Sequence, residues 1–280
     1  MVRQRGVALA IVVWFLAAMS LLVAGIVSEA RVDTHMAQAH VARAKAVAAG
    51  DGAIQLMLAA LESRAFKGFR GRGVPAMEFT VGDHEVGVFL VPVSGLIDIN
   101  GASKELLTKL FTSRGNATDE GAQLLAGNVI KWRSRSRGGS RRPEQFYSIE
   151  DLLRVEGISR TLLEGVRDAI VVGKQNRDRV DWLSAPDPVL SVLAAEGGGS
   201  LSTIRENLSD DFSPNKTLPR GFNPRFQAPG AGNDYRVDAI VTVGDKKWLR
   251  RRWVTVDSQG EGLLPWRFTG TEAVRAVGDR

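Results

Sequence analysis

No cysteine occurs among the 280 residues. Disulfides, thiolate metal sites and cysteine nucleophiles are therefore excluded. The absence suits an oxidising compartment and is equally compatible with the cytosol. Histidine is nearly as scarce: His35, His40 and His84 are the only three. His35 and His40 stand five apart, which does not bring two side chains onto one helix face. HExxH, Walker and GxSxG patterns are all missing, so no enzymatic function is expected. Asp119, Glu120, Asp187, Asp210 and Asp211 offer oxygens to calcium but lack EF-hand spacing, so no cofactor is expected. Two further absences organise the chain. Residues 7–27 carry no charge, and residues 31–66 carry no proline.

The uncharged run reads VALAIVVWFLAAMSLLVAGIV. As a helix it is about 31 Å long, enough to cross a bilayer. A charge inside it would cost roughly 2.5–3.5 kcal/mol. Arg3 and Arg5 precede it, which keeps the N-terminus in the cytoplasm and sends the remainder outside. A conventional secretory signal competes with this reading, because Ser28, Glu29 and Ala30 form a small-x-small cleavage site. The apolar core of such signals is shorter, roughly 7–15 residues. A generic uncleaved anchor is a second competitor. Net charge is +6; loss of residues 1–6, which hold Arg3 and Arg5 and no acid, would lower it to +4. So mild an excess says little about nucleic acid.

Beyond the run the helix is expected to continue through 31–66, which is rich in Ala, Leu, Met, Gln, Lys and Arg. Val41, Ala44, Val47 and Ala48 share a face by spacing, followed by Ile54, Leu56, Met57, Leu58 and Leu61. Gly50 and Gly52 flank Asp51 and are expected to loosen or bend the helix. Strands follow at 77–81 and 85–93. The tetrapeptide TVGD ends the first of these at 80–83 and recurs at 242–245, between strands 235–243 and 247–256. Gly-Asp is a hairpin turn, so two hairpins are expected in one antiparallel sheet covered by the helix. Tyr235, Val237, Ala239, Val241 and Val243 alternate with more polar neighbours, the pattern of a half-buried strand.

Between the hairpins the sequence reads as helical, with helices expected at 102–110, 120–132, 148–155, 159–171, 188–194 and 201–208. Ser148 and Asp151 form a capping-box pattern. A weak repeat relates ASKELLTKL at 102–110 to APDPVLSVL at 185–193; each follows a short piece read as extended, 97–99 or 182–183. Residues 209–233 are rich in Pro, Gly and Asn, as in a linker or long surface loop.

Several segments carry a family resemblance. The short basic leader ending at Gly6 resembles a type IV prepilin leader. Position 11 holds Ile11, where most pilins have glutamate at the fifth mature position. GLIDINGAS at 95–103, FYSIEDLLRVEGI at 146–158 and YRVDAIVTV at 235–243 complete the likeness. In this order they resemble the minor pseudopilin K family of the type II secretion system (general secretion pathway protein K). The resemblance implies an α+β fold, a pilin-like long N-terminal helix packed on an antiparallel sheet with a large helical insert. It implies cleavage by prepilin peptidase between Gly6 and Val7, and N-methylation of Val7. The implied division is a leader at 1–6, a transmembrane helix at 7–28 and the periplasmic part of that helix at 29–66. The sheet begins at 67–99, the insert fills 100–211, a loop follows at 212–233, the final strands occupy 234–270, and 271–280 is a tail. The implied location is the inner membrane, single-pass, with a periplasmic C-terminal domain. The implied partners are minor pseudopilins I, J and H.

Ile11 then suggests the tip of the pseudopilus. A pilin glutamate is thought to pair with the terminal amine of a neighbouring subunit inside the membrane, and a subunit with nothing above it does not need that pair. A minor pilin of a type IV pilus is the nearest alternative. A rival reading takes LLRVEGISR at 152–160 as a helix-hairpin-helix turn around Gly157, with the run RSRSRGGSRR at 133–142 adding charge for a DNA backbone. The expectation here is that Arg133, Arg135, Arg137, Arg141 and Arg142 are solvated and bind no nucleic acid.

Overall fold

The computed structural model describes residues 5–62, 74–135, 144–173, 178–194, 224–226, 232–256 and 264–278, and the side chains of all of these but 5–8 and 224. Its first element is a single helix, α1 (Arg5–Glu62), 58 residues long. The expected continuation past the apolar run is therefore present. The buried stripe of α1 differs from the expected one. Ala46, Ala49, Ala53, Ile54, Met57 and Leu58 are at most 4% exposed, a 3–4 residue spacing that keeps them on one face. Val41 is 55% exposed, Leu56 is 47% exposed, and Ala44 and Ala48 are exposed too. Small alanines, rather than the bulkier Val41 face, meet the sheet. Gly50 and Gly52 serve the same approach and do not interrupt the helix. A Cβ on Gly50 would lie 2.7 Å from Arg250 Cβ, and one on Gly52 would lie 3.2 Å from Val81 Cγ1.

The sheet is built from β1 (Ala76–Val81) and β2 (His84–Pro92), then β5 (Asp234–Val243), β6 (Lys246–Val256), β7 (Trp266–Thr271) and β8 (Arg275–Val277). Strand order is β1-β2-β5-β6-β7, with β8 also against β6, and every pair is antiparallel. Both expected hairpins are present and joined through β2 and β5. Each turns on two residues, with Gly82 at φ +59° and Gly244 at φ +64° and no positive φ at the following aspartate. Positive φ at the first turn position alone is the type II′ arrangement, whose twist matches that of the strands. Val86, Val88, Leu90, Val237, Ala239 and Val241 face α1 and form a core with it. β8 lies within the residues read as a tail.

The insert contains α2 (Lys104–Gly115), α3 (Asp119–Arg133), α4 (Arg160–Val166) and α5 (Asp187–Ala194). Two short strands, β3 (Ile97–Asp98) and β4 (Ile170–Val171), pair in parallel. The helix expected at 159–171 is therefore shorter: α4 gives way to a 3-10 turn, Arg167–Ala169, and then to β4. β-branched Ile170 and Val171 are buried there against Ile97 and Asp98, where strand geometry suits their stiff side chains. Ile149–Arg154 is 3-10 rather than α-helical, and Trp182–Ser184 is 3-10 rather than extended. The helix expected at 201–208 lies outside the described residues. Leu106, Leu107, Leu110, Phe111, Val129, Trp132 and Phe146 belong to a second core, which also takes in Val91 and Trp253 from the sheet. Trp132 and Phe146 stack with ring centroids 4.1 Å apart.

Candidate functional site

From Leu9 to Lys45 no residue of α1 is buried. Ile11 is 61% exposed, Trp14 75% and Leu21 78%. Apolar surface on this scale is not left to water in a soluble monomer. Among the described residues this is the one helix long and apolar enough to cross a membrane. It fits a single-pass anchor. Gly6 and Val7 lie in the helical backbone, with side chains outside the described set. Arg3 lies outside the described residues.

Two of the segments that carried the resemblance, 95–103 and 146–158, act as joints of the insert. Asp98 Oδ1 accepts from the N–H of Asn100 at 2.9 Å, and its carbonyl accepts from Gly101 and Ala102. Asn100 then pairs both ways with Phe146. Its Nδ2 donates to the carbonyl, and its Oδ1 accepts from the N–H, each at 2.9 Å. A side chain at Gly95 would collide with the carbonyl of Ser184. Asp151 Oδ2 accepts from the N–H of Tyr147 at 2.9 Å and of Ser148 at 3.0 Å, so the capping box is present, on a 3-10 turn. Burial pushes the Asp151 carboxyl up, but these N–H groups and Arg154 outweigh it and hold it below the usual range. Asp181 is buried and its side chain accepts from the hydroxyl of Ser184. Burial raises its carboxyl above the ordinary value.

A half-buried strand would leave Arg236 and Asp238 of β5 facing solvent. They are buried under the insert instead: Arg236 is 3% and Asp238 8% exposed. Arg251, opposite Asp238 on β6, grips it with a fork of 2.6 and 2.9 Å. Its Nη2 also reaches Asp168 of the insert at 2.8 Å. Arg275 Nη2 meets the same oxygen at 2.9 Å, and Arg236 Nη1 donates to the Asp168 carbonyl at 2.8 Å. Three arginines of the sheet thus converge on one turn of the insert. Burial pulls the Asp168 and Asp238 carboxyls upward, but the arginines prevail and hold both below the usual range. No spacing in the sequence announces this cluster, since its members come from four separate segments.

Arg133 corrects an expectation. It is not solvated: its guanidinium donates to the carbonyls of Ile99 at 2.8 Å and Ala102 at 2.7 Å, tying the end of α3 to the loop before α2. Arg135 is exposed; Arg137, Arg141 and Arg142 lie outside the described residues. Around the Gly157 turn, Ser159 Oγ already accepts from the N–H of Leu162 at 3.2 Å. Gly157 adopts φ +87°, and a Cβ there would press on Leu125, so its freedom serves helix packing. Among the described residues no three His, Cys, Asp or Glu side chains gather as metal ligands. Asp210 and Asp211 lie outside them.

No family model matches the chain, and no curated protein matches it. A solved structure does: a chain in the GspK-GspI-GspJ complex of the type 2 secretion system from enterotoxigenic Escherichia coli. The match covers 90% of this chain and 99% of that one, with a TM-score of 0.51 and 10% identity. The chain has a GspK-like pseudopilin fold.

Proposed function

We propose that the chain is a minor pseudopilin at the tip of a type II secretion pseudopilus, starting or capping the filament that exports folded proteins across the outer membrane. One observation carries the proposal. The exposed part of α1 opens on an uncharged stretch, residues 9–27, and runs without a break into a part that packs on an antiparallel sheet bearing a helical insert. A likeness of fold to one chain of the solved complex, over 90% of this chain, supports the same reading. The helix sits in the inner membrane and the head in the periplasm. Its neighbours are minor pseudopilins I and J, with H below. Prepilin peptidase cuts between Gly6 and Val7, and Val7 is methylated. The role is structural, not enzymatic, and involves no nucleic acid.

Ile11 supports the tip position. The amine of the mature Val7 can meet a glutamate of the subunit below, while nothing above asks for a carboxylate at position 11. Mass spectrometry of the mature N-terminus tests the processing, and methylated Val7 is expected. A chain starting at Arg31 would mean a conventional signal peptide and remove the proposal. Ile11→Glu tests the position. An unpaired acid in the bilayer costs a few kcal/mol, so crosslinking to neighbours should be unchanged or reduced. Stronger incorporation along the filament would move the chain from tip to shaft.

A further inference from the structure

β7 is the last strand on its side of the sheet, and among the described residues no strand pairs with its outer edge. The end of this strand runs into a cleft of about 240 Å³ between sheet and insert. Ile149, Val171, Val172 and Trp253 contribute apolar surface to the cleft. Trp253 sits opposite Gly270 on β7. A Cβ at Gly270 would lie 3.1 Å from its Cδ1, so glycine keeps this wall thin. Tyr147 lines the cleft and is 87% exposed.

Charge in the cleft is unbalanced. Arg167 meets three carboxylates, Glu150 at 2.9 Å, Glu164 at 3.2 Å and Glu272 at 3.4 Å. Glu272 Oε2 also lies 3.8 Å from Arg251 Nη1, yet its Oε1 is buried with no hydrogen-bond partner. Almost no accessible surface remains on that oxygen, so Glu272 acts on the cleft through its charge and not as a bonding partner. Glu150, at 57% side-chain exposure, is open to a newcomer.

We propose that the cleft receives an extended segment of another polypeptide, laid along β7, which inserts a lysine or arginine side chain toward Glu150. An edge strand recruits an extended backbone. The apolar wall takes the methylene stem, as it does wherever a long cation buries its chain and keeps its head among polar groups. The open face of Tyr147 adds attraction for a cation. This goes beyond the secretion role and holds whichever apparatus carries the chain.

The test titrates the full-length protein in detergent micelles with the peptide acetyl-Thr-Val-Lys-Val-Thr-amide, followed by NMR shifts. The control peptide replaces lysine with norleucine, which keeps the stem and removes the charge. Saturable binding is expected, weaker by about fivefold for the control, and weakened by added salt. Glu150→Gln, an exposed change that leaves the core intact, should reduce lysine-peptide binding by a similar factor and leave the control unchanged. Val172→Trp, which fills the cleft, should abolish both. Equal affinity of the two peptides, absence of saturation, or binding indifferent to Glu150→Gln would overturn the proposal.

Discussion

The central strands have two sides, and each is buried in a different way. Toward α1 the contacts are aliphatic: Val86, Val88, Leu90, Val237, Ala239 and Val241 against Ala49, Ala53, Met57 and Leu58. The polar contacts on this face include Arg250, which grips Asp51 of the helix at 2.9 and 3.1 Å, and Arg252, 3.5 Å from the same carboxylate. Toward the insert, the same strands bury Arg236, Asp238 and Arg251, joined to Asp168. An aliphatic face gains from burial in proportion to area and tolerates small shifts. A buried ionic face gains little net energy, because desolvation offsets attraction, but it penalises every misplacement of its members. The first face holds the long helix to the sheet. The second fixes where the insert sits on it.

The largest expected effect breaks the ionic face. Asp168→Ala leaves Arg251 and Arg275 without a shared carboxylate and should cost about 3–5 kcal/mol, as removal of one partner from a buried pair does. Met57→Ala on the opposite side should cost about 2–5 kcal/mol through lost burial and a cavity. Denaturant unfolding of the full chain in detergent measures both, and hydrogen exchange shows where each acts. Asp168→Ala should deprotect α4 and β4 first, whereas Met57→Ala should deprotect α1 and β5. Identical patterns would mean that the two faces unfold as one unit and that their contrast has no mechanical meaning.

Acid should separate the faces more gently. Asp168 and Asp238 have folded values below their unfolded ones. Their contribution is present above the unfolded value, about 3.9, and is lost as pH falls through the folded values. Asp181 has the opposite sign. Its raised value makes its contribution complete below about 3.9 and lost as pH rises through the folded value. Stability against pH should therefore fall on the acid side in the wild type and fall less steeply in Asp168→Asn. An unchanged acid limb in that variant would remove Asp168 from the centre of the cluster.

The aliphatic face was legible because it follows local rules. The TVGD turns announced their hairpins, and Val237, Ala239 and Val241 announced an inward row. The ionic face was not legible. Arg236 and Asp238 looked like the solvent side of an alternating strand, because sequence period cannot say whether a second layer covers them. Arg133 was misread for a related reason, since its partners are backbone carbonyls 31 and 34 residues away. The end of α4 was lost because Ile170 and Val171 suit a helix by period and a strand by shape, and β3 decides between them.

The smallest expected effect is the sharpest test of how α1 meets the sheet. A glycine that merely loosened the helix would respond to alanine with a gain of about 1 kcal/mol, the propensity difference. At Gly50 the new Cβ would lie 2.7 Å from Arg250 Cβ and 3.0 Å from its Cγ. Those atoms belong to the stem of a side chain held at its far end by Asp51, so they cannot swing aside without breaking the fork. Overpacking of this kind costs about 1–3 kcal/mol, and Gly50→Ala should be destabilising despite the propensity gain. At Gly52 the new Cβ would lie 3.2 Å from Val81 Cγ1, at the end of β1 beside a turn, where a few tenths of an ångström of movement suffices. Gly52→Ala should change stability by less than about 0.5 kcal/mol. Paired unfolding curves on the two variants check this. Equal stabilisation by both would restore the view of these glycines as weak points in the helix and deny them a role in its approach to the sheet.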